Sequence, residues 1–374
     1  MGPPFRLGSS RGDKRRERPP ALPAYRLPPF VALHARAFLA ISPSPQRAGG
    51  NLTFIRLAGL DRVPDALKGA MVAIGNFDGC HRGHQHVFRG LIARARAAGV
   101  PALMLTFEPH PRDIFAPEPF MFRLTYADQK AEIAEALGLD GIVVMPFSRE
   151  FSQIEAEDFV TRFLLGALNV KGVEVGADFH FGFQRKGTPA FLKDAGQRHG
   201  FDVEILGMLD EGDDHISSTR IRTLLGEGHV APAAQLLGYH WFFSGTVVKG
   251  DQRGRELGFP TANMATPTGF GLLQGVYAVR AKLNGRLLDG VASYGKPMFN
   301  NERPPFETWI FDFDEDIYGE TLEVALLGTV RGQVKFRGLD ELIAAVNNDA
   351  SQARHILQAT LPVSELDRKL GFFR

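Results

Sequence analysis

A parallel α/β sheet followed by a small antiparallel β-barrel is the fold class this sequence predicts, on three observations. From Leu52 to about Gly228, apolar strand-like runs alternate with helical ones, the pattern of a parallel sheet covered by helices. Beyond Tyr239 the texture changes to short alternating segments separated by turn residues, as a barrel requires. At 374 residues the chain is too long for one ordinary core. It suits two domains, 52–230 and 238–374, each burying its own apolar face.

The first 50 residues carry nine of the 24 prolines and nine Lys/Arg against two Asp/Glu, with no sustained period. Such composition predicts a disordered extension rather than a packed element. Strands are then expected over 70–75, 101–107, 141–146, 172–177 and 202–207. After the first of them Val87, Phe88, Leu91, Ile92 and Ala95 keep helical spacing, with Gly99 as a stop signal. Further helices are expected from Asp128 to Leu137 and from Glu157 to Leu168. In the second half, Asn284-Gly285 between two apolar runs predicts a tight hairpin. The runs FETWIFDF and TLEVALLGTV should form a second pair across Asp314 to Gly319, and a helix around Leu339 to Asn347 should close the barrel.

Composition narrows the function classes. Outside the basic first 50 residues the chain holds 34 Lys/Arg and 40 Asp/Glu, a net charge of −6, and so offers no general nucleic-acid face. No run approaches the roughly 18 consecutive apolar residues of a spanning helix, so no membrane partner is expected. The single cysteine, Cys80, excludes an internal disulfide and reads as an incidental small residue. A cytoplasmic protein is the expectation; the sequence names no protein partner.

The most informative stretch is 72–86, VAIGNFDGCHRGHQH. An apolar run breaks at Gly75 into a turn, and His81 and His84 fall where an amphipathic helix begins. Backbone N–H groups at a helix start favour anions, and Gly79 and Gly83 would let a phosphate approach the main chain. The histidines add donors for charge on phosphoryl oxygens. Ser217, Ser218 and Thr219, followed by Arg220 and Arg222, form a second cluster suited to a polyphosphate. Gly250, Gly254 and Gly258 permit a third backbone wrap around phosphates. Ligands of a parallel sheet bind beyond the carboxyl ends of its strands, where the Gly75 turn and the loops after Phe107 and Gly176 all fall.

Gly75, Phe77, Asp78, Gly79, His81, Gly83, His84 and Gln85 stand in the pattern GxFDGxHxGHQ, which resembles the HxGH nucleotidyltransferases and, more closely, the bacterial bifunctional riboflavin kinase/FAD synthetase family. The resemblance covers roughly residues 52 to 374. It implies a Rossmann-like nucleotidyltransferase domain followed by a flavokinase barrel. ATP would phosphorylate riboflavin to FMN in the barrel, and a second ATP would adenylylate FMN to FAD, releasing pyrophosphate. It assigns Phe107, Pro109, His110 and Pro111 to flavin contact, and likewise Asp178, Phe179 and Phe181 in GADFHFG. Lys249 to Asn263 resembles the flavokinase signature ending in GFPTAN, which places Arg253 and Arg255 at ATP and gives Thr261 and Asn263 to Mg²⁺ and ATP. Glu307 would take the proton from the ribityl hydroxyl, and Arg331 and Phe336 would lie beside the flavin.

The chain departs from the family pattern at Lys296, Met298 and Gln333. Two alternatives therefore stay open: a protein retaining only one of the two activities, and a flavin-nucleotide-binding regulator without turnover.

Overall fold

The computed structural model describes residues 53–117, 120–207, 210–211, 214–250, 254, 257–295 and 304–374. The extension over 1–50, Arg253, Arg255, Lys296 and Met298 lie outside the described residues.

Six parallel strands form the first sheet, in the order β1-β4-β3-β2-β5-β6. They are β1 (Ile55–Ala58), β2 (Met71–Ile74), β3 (Ala102–Glu108), β4 (Gly141–Pro146), β5 (Gly172–Gly176) and β6 (Asp202–Leu206). The five predicted strands are all present. The four-residue β1 pairs with β4 at the sheet edge and is an addition to the prediction. From central β2 the chain winds first toward β3 and β4, then returns to β5 and β6 on the other side, so the crevice beyond the ends of β2 and β5 is the switch point where ligands bind.

Helix α1 (Arg82–Ala98) follows β2 and ends at Gly99, whose φ of 66° supplies the left-handed cap. Helix α2 (Pro111–Ile114) is one turn, and α3 (Ala127–Leu137) matches its prediction to within a residue. The helix expected over 157–168 is α-helical only as α4 (Ala156–Asp158) and continues as a π-helix over Phe159–Ala167. Thr161 Oγ1 donates to the Glu157 carbonyl, and at the far end Leu168 N reaches back five residues to Phe163 O. Helices α5 (Pro189–His199), α6 (Ser218–Gly226) and α7 (Val230–Leu237) complete this half, with a small antiparallel ribbon of β7 (Asp210–Glu211) and β8 (Asp214–His215).

The second half is a closed antiparallel barrel in the order β10-β13-β12-β11-β14-β9. Its strands are β9 (Phe242–Val248), β10 (Thr261–Met264), β11 (Gly275–Leu283), β12 (Arg286–Tyr294), β13 (Phe306–Ile310) and β14 (Thr321–Gly332). Asn284 and Gly285, both at positive φ, make the predicted two-residue hairpin between β11 and β12. The expected pairing of FETWIFDF with TLEVALLGTV does not occur. Strand β13 is already flanked by β10 and β12, and β14 by β11 and β9, so the segment between them crosses the barrel end rather than turning a hairpin. The closing helix, α8 (Leu339–Ala359), runs twelve residues past its predicted end, and α9 (Glu365–Lys369) follows.

The halves do not bury separate cores. Alternation along β2 sends Val72 and Ile74 to one sheet face, against Leu103, Phe151 and Phe163, and Met71 and Ala73 to the other. On that second face one apolar cluster continues from Phe88 and Leu124 through Leu237 and Trp241 into the barrel at Phe242, Tyr277 and Phe306. No helix among the described residues is long and apolar enough to cross a membrane.

Candidate active sites

The first site is built on the turn from β2 into α1. His81 stands at the N-cap position of α1, and its imidazole stacks on that of His84, with ring centroids 3.7 Å apart. Spacing of three on a helix start makes this contact. The His81 ring lies over Gly83: a Cβ there would sit 3.2 Å from two ring atoms and press the imidazole out of its place. Gly79, at φ 84°, likewise leaves room for Leu124, 2.9 Å from where its Cβ would be. Both glycines thus serve internal packing. Gly75 does the same for the ring of Phe77, which stands edge-on to His84.

Nδ1 of His81 and Nδ1 of His84 are buried and have no hydrogen-bond partner among the described residues. Burial pulls His81 down to about 4, against the opposing charge of Asp78. It takes His84 well below the usual value too, with His81 and Lys130 adding to the effect. Both rings are therefore neutral near pH 7, each able to donate through one N–H.

Asp78 and Arg222 pair with one another beneath the histidines. The Asp78 carboxylate points inward, accepting from the Leu124 and Thr125 amides at 3.0 Å each and from the Arg222 guanidinium. Arg222 Nε donates to Phe122 O at 2.7 Å. Ser218, at the start of α6, donates to Asp78 O at 2.8 Å, and Ser217 caps the helix by accepting from Arg220 N. Thr219 is exposed and Arg220 half-buried on the same turn. The second motif therefore does meet the first.

Behind the histidines lies a buried charge cluster that the sequence did not announce. Arg123 donates both terminal nitrogens to Glu108, at 2.9 and 2.8 Å. The fully buried Lys130 donates to Asn76 O at 2.6 Å and to Thr106 Oγ1 at 3.1 Å. Burial opposes ionisation of Asp78 and Glu108, but the neighbouring cations, Arg123 first, hold both below the usual carboxylate range. Burial, with Arg123, also takes His110 to about 3, and its Nδ1 accepts from Arg112 N.

Of the residues expected at a flavin, Pro109, His110 and Pro111 follow the end of β3, while Asp178 and Phe179 follow β5. They flank the switch point. Phe107 and Phe181 are core residues: Phe107 packs on Phe147 and Phe151, and Phe181 on Phe159 and Phe191, with Phe179 stacked on it at 5.5 Å.

The barrel carries the second site, a cleft of about 260 Å³ whose lining includes Gly250, Thr261, Asn263, Thr308, Asp314 and Tyr318. Gly254 and Gly258 lie on the connection from β9 to β10, where Phe259 N donates to Gly254 O at 2.7 Å. On β13, Phe306, Thr308 and Ile310 are buried, and Glu307 alternates to the other face. There the ladder sets Glu307 directly between Asn263 of β10 and Ser293 of β12. Arg331 is held away from a free position: its guanidinium pairs with Asp349 at 2.8 and 2.7 Å and lies over Phe336 at 5.5 Å.

Two family models match the chain: FAD synthetase over residues 63–220 and riboflavin kinase over 237–357. The bifunctional riboflavin kinase/FMN adenylyltransferase of Escherichia coli K12 is 37% identical over 297 residues, covering 79% of this chain and 95% of the relative. That of Listeria monocytogenes is 37% identical over 289 residues, covering 76% and 91%. The chain belongs to the bifunctional riboflavin kinase/FMN adenylyltransferase family.

A solved structure titled as a macrolide-efflux protein from Streptococcus pneumoniae shares the fold, with a TM-score of 0.67 and 32% identity over 77% of this chain and 94% of that one. Membership fixes the two-part architecture: the HxGH loop lies in the FAD synthetase span and the barrel cleft in the riboflavin kinase span. Arg123, Lys130 and Glu108 carry no local mark, because each is an ordinary charged residue in the sequence. Their partners lie 15 to 54 residues away.

Proposed function

We propose that this chain makes FAD from riboflavin in two ATP-dependent steps, one per site. One chain holding both the stacked His81/His84 pair at the switch point and the Thr261/Asn263/Glu307 constellation on a closed barrel is the observation that carries this reading. In the barrel, the ribityl hydroxyl oxygen attacks the γ-phosphorus of ATP, its proton passes to the Glu307 carboxylate, and ADP leaves with the bridging oxygen. The position of Glu307 beside Asn263 supports this role. No cluster of three or more His, Cys, Asp or Glu suited to a metal occurs among the described residues. Thr261 and Asn263 in the cleft still fit Mg²⁺, which usually keeps several waters and binds through substrate phosphates with few protein ligands. When bound, the ion neutralises charge on the transferred phosphoryl group.

In the α/β half, an FMN phosphate oxygen attacks the α-phosphorus of a second ATP and pyrophosphate departs. The nucleophile is already ionised, so no strong base is required. Neutral His81 and His84 orient and donate to the reacting phosphate, supported by Ser217, Ser218, Thr219 and Arg220. Asp78 and Arg222 act as a positioning pair beneath them. The loops at Pro109–Pro111 and at Asp178–Phe179 hold the flavin, with Phe107 and Phe181 backing them from the core. Gly250, Gly254 and Gly258 shape the barrel's ATP loop, with Arg253 and Arg255 on it; Arg331 and Phe336 flank the flavin there. A cytoplasmic setting without nucleic-acid or membrane partners completes the proposal, supported by the unpaired cysteine and the acidic body.

The test is to incubate the purified chain with riboflavin and MgATP and to separate FMN from FAD over time. FMN should appear first and FAD follow. FMN without FAD, or FAD only from supplied FMN, would reduce the function to a single activity, and neither product would remove both.

A further inference from the structure

The loop from Asn76 to Cys80 is strained, and every one of its carbonyls is held. Phe77, Gly79 and Cys80 sit at φ of 46°, 84° and 38°. Non-glycine residues persist there only where their surroundings over-determine them. Asn76 O accepts from Lys130 Nζ at 2.6 Å and Thr106 Oγ1 at 3.0 Å. Phe77 O accepts from Cys80 N at 3.0 Å, Asp78 O from Ser218 Oγ at 2.8 Å, and Cys80 O from Gln85 Nε2 at 2.9 Å.

The remaining carbonyl, Gly79 O, accepts from the hydroxyl of Tyr239 at 2.7 Å. Tyr239 is fully buried, so its phenol stays protonated and available to donate. It differs from the other donors in origin. Lys130, Thr106, Cys80, Ser218 and Gln85 all lie in the FAD synthetase span, whereas Tyr239 is in the riboflavin kinase span. Its ring is fixed edge-on to Phe242, the first residue of the barrel, at 5.9 Å. Gln85 makes a second tie in the same direction, donating to Leu237 O at 2.6 Å.

We propose that Tyr239 is a positioning residue for AMP transfer: the barrel half supplies the hydroxyl that fixes Gly79, and so sets where the loop presents His81 and His84 to the nucleotide. Small displacements of groups that orient a reacting phosphate cost rate rather than binding. The proposal rests on the reading of the HxGH loop as the adenylylation site. Adenylylation then depends on a residue outside its own domain, while phosphorylation of riboflavin does not depend on Tyr239.

Tyr239→Phe in the full chain removes the hydroxyl and keeps the ring. Its kcat for FAD formation from supplied FMN should fall about tenfold, the rate equivalent of one buried hydrogen bond. The KM values for FMN and ATP, and riboflavin phosphorylation by the same preparation, should stay within about twofold. Amide hydrogen exchange should quicken in the peptide spanning 76–84 and remain unchanged in the barrel strands. Unchanged FAD formation would overturn the proposal. So would a proportional loss of both activities with exchange faster throughout, because that assigns Tyr239 to stability alone. A wild-type chain that makes no FAD would defeat the adenylylation reading instead. The exchange comparison still decides whether Tyr239 holds the loop, and unchanged exchange at 76–84 would overturn that as well.

Discussion

The neutrality of the paired histidines is the residue-scale fact with the most direct chemical consequence. An exposed histidine titrates near 6.5. With His81 pulled to about 4 and His84 well below its usual value, neither ring of the ligand-free protein should titrate between pH 6 and 8 in an NMR titration of the imidazole protons. A titration of either ring with a midpoint near 6.5 would contradict it. The same shift acts on stability. Between pH 6.5 and 4 the unfolded chain binds protons that folded His81 refuses, so stability present above pH 6.5 is lost as the pH falls from 6.5 toward 4. His84→Ala should cut FAD formation by roughly a hundred- to thousandfold, the usual effect of losing one preorganised donor, and spare FMN formation. Glu307→Gln should do the reverse: FMN production should drop ~10²–10⁴-fold while FAD production from supplied FMN continues. Both rates measured on each variant give a two-by-two comparison, and equal losses would point to misfolding or one shared site.

The element that decides the first site is the turn between β2 and α1, held by side chains from three directions. Asp78 is central to it, since its carboxylate gathers residues 124 and 125 and Arg222 around the histidines. Asp78→Asn would leave the half-buried Arg222 guanidinium without its carboxylate partner and weaken the acceptor of the 124 and 125 amides. The variant should therefore show a lowered melting temperature as well as lost FAD formation. An unshifted melting curve would show that Asp78 does not hold the turn together. Much of this element was legible in the sequence, because a strand, a glycine turn and two histidines at helical spacing are local signals. The Asn284-Gly285 hairpin was legible for the same reason. The ion cluster of Glu108, Arg123 and Lys130 was not, since nothing local distinguishes a buried lysine from a solvated one. Nor was the pairing of β13: strand character is written in alternation, but choosing β10 and β12 over β14 depends on how the whole barrel closes. The four-residue β1 carries too short a period to register.

For the molecule as a whole, reading two domains with separate cores from chain length fails where Trp241 enters. Its ring is 1% exposed, edge-on to Phe122 of the first half and stacked on Phe243 of the barrel, and its Nε1 donates to Leu124 O at 2.8 Å. Lys282 of β11 adds an ion pair to Glu132 of α3 at 2.6 Å. A core continuous across the junction predicts one cooperative thermal transition, not two. Trp241→Ala should lower the stability of both halves together, by about 3–5 kcal/mol. Calorimetry resolving two independent peaks in the wild-type chain would show the halves to be thermodynamically separate.

Cys80 is the sole sulfhydryl in the sequence, lies in the turn that Tyr239 holds, is fully buried, and has its thiol pushed up to about 12 by that burial. An alkylating reagent in the solvent can reach it only when the turn opens. The rate of thiol labelling is then a clock for that opening, readable on the unmodified protein by mass, without any engineered probe. ATP bound across the histidines should slow the clock and Tyr239→Phe should speed it. Each labelled molecule would record one opening of the turn.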